Sequence, residues 1–262
     1  MSRQSIPCYV SRGEGGPAVF LLHGIGGSKA YWHNALEVLA NAGYRAVALD
    51  LPGYGESETI EPYTLSGIAR SLEGLMDALA PRRAVLLGHS MGGMVALEAW
   101  AAYPHRIAGL MLSGTSPAFG RPEGAWQQEF LRQRLGPLDQ GRSMSDLAPR
   151  LVRAMVGSDA DAAGVERAVA IMSAVSPQTY RSALRALLSF DRRALLPAIS
   201  VPTLVLAGEL DPNAPPAVMQ KMAEKIPGAS YECLSRTGHL ASLEQPAAFA
   251  DAILRFLQAR FR

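Results

Sequence analysis

The sequence predicts an α/β protein, a mostly parallel central sheet covered by helices on both faces. Two observations carry this. Short apolar, β-branched runs alternate with amphipathic helical patterns over most of the chain, which argues for parallel strands joined by helical crossovers. At Gly88-His89-Ser90-Met91-Gly92, moreover, a strand pattern turns into a helix pattern without any linker, leaving a serine at the corner. A third observation divides the chain: between about Phe119 and Phe190 the alternation stops and only helical patterns remain.

The elements follow in order. Ile6 to Arg12 is the first strand, and the Gly13-Glu14-Gly15-Gly16-Pro17 turn after it predicts an antiparallel edge paired with the next strand. Further strands are expected at Ala18 to Leu22, Arg45 to Leu49, Ala84 to Leu87, Ile107 to Ser113, Thr203 to Ala207 and Ala229 to Leu234. Tyr31 to Ala42, Thr64 to Leu79, Met91 to Tyr103, Ala217 to Ile226 and Pro246 to Phe256 carry apolar residues at spacings of three and four, the helical repeat. Four more amphipathic segments, Gln127 to Leu135, Ser145 to Val156, Ala163 to Ala174 and Pro177 to Phe190, cannot extend a sheet. They are expected to form a helical cap, inserted after the sixth strand and seated over one end of the sheet. The chain thus divides into a first core segment (1–118), a cap (119–190) and a second core segment (191–262).

A chain of 262 residues buries enough surface for one large core without metals or crosslinks. Its net charge of +2 is spread along the chain, with no run of like charges and no aromatic and basic interleaving, so the pattern argues against a nucleic-acid partner. Only Lys29, Lys221 and Lys225 among the 25 basic residues are lysine, and the arginine-rich balance behind the pI of 8.6 points to no anionic partner. Cys8 and Cys233 are too few and too far apart for a disulfide framework or a metal site, and two buried thiols are expected. With no apolar leader in the first residues and no apolar run long enough to span a bilayer, the expectation is a cytoplasmic protein without a membrane partner. Oligomeric state leaves no mark on the sequence.

Ser90 at the strand-to-helix corner has the setting of a nucleophile elbow, in which a serine is held with its oxygen above the sheet. Gly88 and Gly92 relieve the crowding this causes. A serine hydroxyl needs a base, and histidine suits neutral pH. Of five histidines, His89 adjoins the nucleophile and should point away from its oxygen, His33 and His105 read as surface residues, and His23 reads as shaping its loop. His239 lies between the last strand and the last helix, at the same carboxyl edge as Ser90, and is the expected base. For the carboxylate that orients it, Asp211 at the tip of Leu204 to Pro212 is favoured over Glu209. Asp50, in the turn-rich Asp50 to Ser57, reads as an organiser of backbone amides. Two backbone donors are needed for an oxyanion, and the amides of Met91 and Ile25 are the expected pair. The glycine-rich His23-Gly24-Ile25-Gly26-Gly27 loop lacks the lysine of a P-loop and the dinucleotide fingerprint, which argues against phosphate binding.

Together, His23-Gly24, Asp50-x-x-Gly53-x-Gly55-x-Ser57, the Gly88 to Gly93 elbow, Gly208-x-x-Asp211 and Gly238-His239 resemble the α/β-hydrolase superfamily over essentially the whole chain outside the cap. The segment His239 to Pro246 is similar to that of 3-oxoadipate enol-lactonases and related bacterial carboxylesterases. The resemblance implies a serine hydrolase of small carboxylic esters or lactones. It would act through an acyl-enzyme on Ser90 with Asp211 and His239, and without metal or organic cofactor. A serine at position 90 disfavours haloalkane dehalogenases and epoxide hydrolases. Carbon-carbon bond hydrolases of ring meta-cleavage products share the fold and the cap, but His89 and Leu240 depart from their pattern. A receptor that retains the fold without turnover is the alternative from a different class. In the cap, Trp126, Phe130, Leu131, Met155, Met172, Leu187 and Phe190 are expected mostly in the cap's own core, and Arg121, Arg132 and Arg134 in solvent.

Overall fold

Seven strands form one sheet in the order β1-β3-β2-β4-β5-β6-β7 in a computed structural model that describes residues 6–79, 81–120 and 124–261. The strands are β1 (Tyr9–Arg12), β2 (Ala18–Leu22), β3 (Arg45–Leu49), β4 (Ala84–His89), β5 (Ile107–Ser113), β6 (Thr203–Gly208) and β7 (Ser230–Leu234). All pairings are parallel except β1 with β3. β2, β4 and β6 are buried along their whole length, so both faces of the sheet must be covered. The cover comes from α1 (His33–Asn41), α2 (Leu65–Leu79), α3 (Met91–Ala102), α8 (Pro216–Lys225) and α10 (Pro246–Arg260), with α1 packed on α10 and α2 on α3.

The first strand is an antiparallel edge, but it pairs with β3 and not with the next strand in sequence. The fully apolar β2 takes a parallel neighbour on each side, β3 and β4, which leaves only the outer edge of β3 open. Polar, half-exposed β1 fits that edge. Strand order therefore reverses around β2, and in open parallel sheets the crevice at such a reversal is where ligands bind. The loops after β2 and β4 meet there.

Between β5 and β6 the chain leaves the sheet as α4 (Ala125–Asp139), α5 (Met144–Arg153), α6 (Ala162–Ser173) and α7 (Pro177–Ala186). Side-chain oxygens of Ser143, Asp161 and Ser176 cap the last three of these helices, as short polar residues before helical runs predict. The base of the excursion is closed by the Ala118–Asp191 bridge and by Phe119 N–H donating to the Phe190 carbonyl at 3.0 Å. The excursion follows the fifth strand, not the sixth, because only β1 precedes the first parallel strand among the described residues. Nor are the thiols buried: Cys8 is half-buried and Cys233 exposed, the latter because β7 is an edge strand. Among the described residues no helix is long and apolar enough to cross a membrane.

Candidate active site

Ser90 follows β4 directly and caps α3 with φ 53° and ψ −119°, outside the conformations a side chain normally accepts. Its neighbours hold it there. Ser90 N–H donates to the Ser113 carbonyl at 2.9 Å, and the Thr115 hydroxyl donates to the Ser90 carbonyl at 2.7 Å. Such a corner is possible only where backbones touch: a Cβ on Gly92 would stand 2.1 Å from the Leu22 carbonyl oxygen, and one on Gly88 2.4 Å from that of Gly92. The loop after β2 presses equally close, since a Cβ on Gly24 would lie 2.9 Å from that of Ser90.

β6 and β7 run parallel beside β5 and deliver Asp211 and His239 from the turns beyond their carboxyl ends. The His239 ring is buried, and its Nδ1–H donates to Asp211 Oδ2 at 2.8 Å. The other carboxylate oxygen of Asp211 accepts the amides of Asn213 and Ala214 at 2.8 and 2.9 Å. Burial alone would raise the Asp211 carboxyl, but the His239 ring and these two amides outweigh it and hold the group below the usual carboxylate range. An ionised carboxylate can only accept, so it fixes the imidazole proton on Nδ1 and leaves Nε2 with a free lone pair. Glu209, the rival carboxylate, turns away and accepts the Arg236 amide at 2.7 Å.

Ser90 and His239 line one cavity of about 520 Å³, together with Ile25 and Met91. Among the described residues the Ser90 hydroxyl has no hydrogen bond with protein, and the amides of Ile25 and Met91 donate to no protein acceptor. The structure thus brings Ser90, His239, Ile25 and Met91 to one space, with no hydrogen bond between the hydroxyl and the imidazole.

The remaining histidines sort as their positions suggest, with one refinement. His33 and His105 are exposed. His23 accepts the Leu51 amide on Nε2 at 3.0 Å and donates from Nδ1 to the Gly24 carbonyl at 2.8 Å, pinning the loop that carries Ile25. Burial lowers its pKa to about 4. His89 stacks on Tyr31 with centroids 5.0 Å apart, and its ring centroid lies 4.8 Å from that of His239, so it borders the cavity more closely than its place in sequence suggests. Burial pushes its pKa well down and keeps it neutral. Asp50 organises its turn: Oδ1 accepts the Lys29 amide at 2.7 Å, while Oδ2 accepts the Glu56 amide at 3.1 Å and meets Lys29 Nζ at 2.6 Å.

Sequence reasoning missed Glu244. Only 1% exposed, its carboxylate accepts the amides of Gly238 at 2.8 Å and Leu240 at 2.7 Å, on both sides of His239, and that of Gly157 at 2.7 Å from the segment after α5. Together with the His239 amide donating to the Met155 carbonyl at 2.7 Å, this ties the histidine loop to the helical excursion. Glu244 lies in the short helix α9 (Ala241–Glu244), whose four residues leave no periodic signal. The excursion also lines the cavity more than expected. Trp126, Phe130, Met155, Met172 and Leu187 face it, whereas Phe190 is buried elsewhere and Leu131 packs on the core. Arg132 is exposed and paired with Glu129, Arg121 lies outside the described residues, and Arg134 lines the cavity and is not in open solvent.

A family model described as the alpha/beta hydrolase fold matches residues 17–246. The chain is 32% identical over 248 residues to RutD of Variovorax paradoxus, assigned as a carbamate hydrolase, covering 92% of each. It is 31% identical to the pimeloyl-(acyl-carrier protein) methyl ester esterase of Photobacterium profundum, covering 96% of this chain and 98% of that one. The crystal structure of the enol-lactonase from Burkholderia xenovorans superposes with a TM-score of 0.85 at 28% identity, covering 96% of both chains.

Proposed function

The chain belongs to the α/β-hydrolase family and is a hydrolase, and on that premise we propose that it cleaves carboxylic esters or lactones of small substrates through an acyl-enzyme on Ser90. In this reading His239 Nε2 takes the hydroxyl proton as Ser90 Oγ attacks the carbonyl carbon. The amides of Met91 and Ile25 hold the oxygen that becomes negative, a contribution worth about 3 kcal/mol per donor. Collapse breaks the bond to the leaving oxygen, to which His239 returns the proton. A water deprotonated by the same nitrogen then attacks the acyl carbon, and Ser90 leaves with that proton. Asp211 stays ionised throughout and stabilises the imidazolium. The helices of 119–190 act as a cap between the core segments 1–118 and 191–262 and exclude water from the acyl group.

The observation that carries this reading is the 2.8 Å hydrogen bond from His239 to Asp211, which leaves Nε2 as the acceptor nitrogen of a ring that lines the same cavity as Ser90. Ester and lactone chemistry is favoured by the names of the esterase and enol-lactonase relatives. The test compares kcat/KM on short p-nitrophenyl esters, an enol-lactone and a meta-cleavage dienone, with labelling by a fluorophosphonate. Ester or lactone turnover, label on Ser90 and a loss of at least about a thousandfold in Ser90→Ala are expected. Unchanged turnover in that variant, or preference for the dienone, overturns the reading.

A further inference from the structure

Helix α4 presents Trp126, Phe130 and Arg134 to the cavity at spacings of four, so they form one stripe along the helix. Phe119, Trp126 and Phe130 make an aromatic cluster with ring centroids 5.1 to 5.4 Å apart, and the Arg134 guanidinium lies 3.7 Å over the Phe130 ring. The cation is thus placed at the end of an otherwise apolar wall. No acidic residue lines the cavity among the described residues, and none pairs with Arg134. Arg193, which also lines the cavity, is matched by both oxygens of Asp191 at 3.0 and 3.1 Å. Arg132, two residues away on the same helix, is matched by Glu129. Burial disfavours the charge of Arg134, and among the described residues the Phe130 ring and the Tyr180 hydroxyl offset that cost without supplying a counter-charge. A half-buried guanidinium with one face on an aromatic ring retains free N–H edges and an unmet charge.

We propose that Arg134 is the receptor for a carboxylate on the end of the substrate remote from the scissile bond, so that the preferred substrates are half-esters of dicarboxylic acids or lactones bearing a free carboxylate. This rests on the proposed serine hydrolase reading and names the substrate class of that site. A monoanion fits better than a phosphate dianion, because a single unmet cation faces the cavity. The planar fork of arginine accepts a carboxylate through two parallel hydrogen bonds.

The test measures kcat/KM for matched pairs, monomethyl adipate against methyl hexanoate and monomethyl pimelate against methyl heptanoate, in the wild type, Arg134→Met and Arg134→Lys. The wild type is expected to prefer the half-ester by about tenfold or more, mostly through KM. That ratio collapses toward one in Arg134→Met, is partly kept in Arg134→Lys and shrinks with added salt. A ratio near one in the wild type, or one unchanged in Arg134→Met, overturns the proposal and leaves the hydrolase reading intact. Calorimetric binding of monomethyl adipate to Ser90→Ala separates the converse case. Binding that is lost on adding Arg134→Met, in a protein that hydrolyses no ester, upholds the anion receptor and overturns the reaction.

Discussion

The carboxylate of Glu244 accepts the amide of Gly157 at 2.7 Å, joining residues 87 apart in sequence, and its grip on Gly238 and Leu240 makes the His239 loop part of the same junction. A buried charge satisfied by three backbone amides is rigid, because losing any of them leaves a donor without a partner in a dry place. The position of the imidazole is therefore coupled to the seat of the helices above it.

Glu244→Gln replaces one acceptor oxygen by a carboxamide NH2 that faces a backbone N–H, so at least one backbone amide loses its partner at a cost of about 1 to 3 kcal/mol. We expect a lower Tm and a fall in kcat of about tenfold for ester hydrolysis, with KM changing less. The rate of the acylation burst, which depends on where the imidazole sits, should fall with kcat. A burst rate equal to the wild type in a folded variant would limit Glu244 to stability.

Asp211→Asn keeps the shape but offers an amide in place of an oxygen that must accept the Nδ1 proton. The imidazole then favours the wrong tautomer, and kcat should fall by about a thousandfold or more. Activity within a few-fold of wild type would count against Asp211 as the orienting acid, and Glu209→Gln serves as the comparison that should have little effect.

Gly92→Ala drives a methyl group to 2.1 Å from the Leu22 carbonyl oxygen. Backbone has to move, so the variant should fail to accumulate or melt at least about 5 °C lower. Gly74→Ala in α2 meets nothing within 4 Å and should stabilise, by up to about 1 kcal/mol. Equal melting temperatures for the two variants would remove the argument from close approach.

Stability should fall as the solution is acidified, through His23. Its pKa is lowered by burial from 6.5 to about 4, so between these values the unfolded chain binds a proton that the folded chain refuses. Stability is therefore complete above the unfolded value and lost as pH drops toward 4, by about 2 kcal/mol between pH 7 and pH 5. Buried His89 adds a loss of the same sign. Urea unfolding at the two pH values should show the difference, and His23→Gln, which can still accept the Leu51 amide, should flatten it. The same slope in the variant would assign it elsewhere.

The amino-acid sequence by itself determined the alternation of strands and helices, the corner at Ser90, and the strand ends from which Asp211 and His239 emerge. These are local properties: apolar periodicity and turn chemistry act within ten or so residues and leave their mark there. It could not determine that β1 pairs with β3, since that depends on which sheet edge remains open once β2 has taken two partners. Nor could it separate Arg134 from the solvated arginines beside it, or reveal Glu244, because whether a charged side chain is buried and what it meets is settled by segments far away in sequence. Tertiary structure alone decided these points: a charge enters a core only where distant backbone amides or an aromatic face compensate it, and that compensation exists only after the chain has closed on itself.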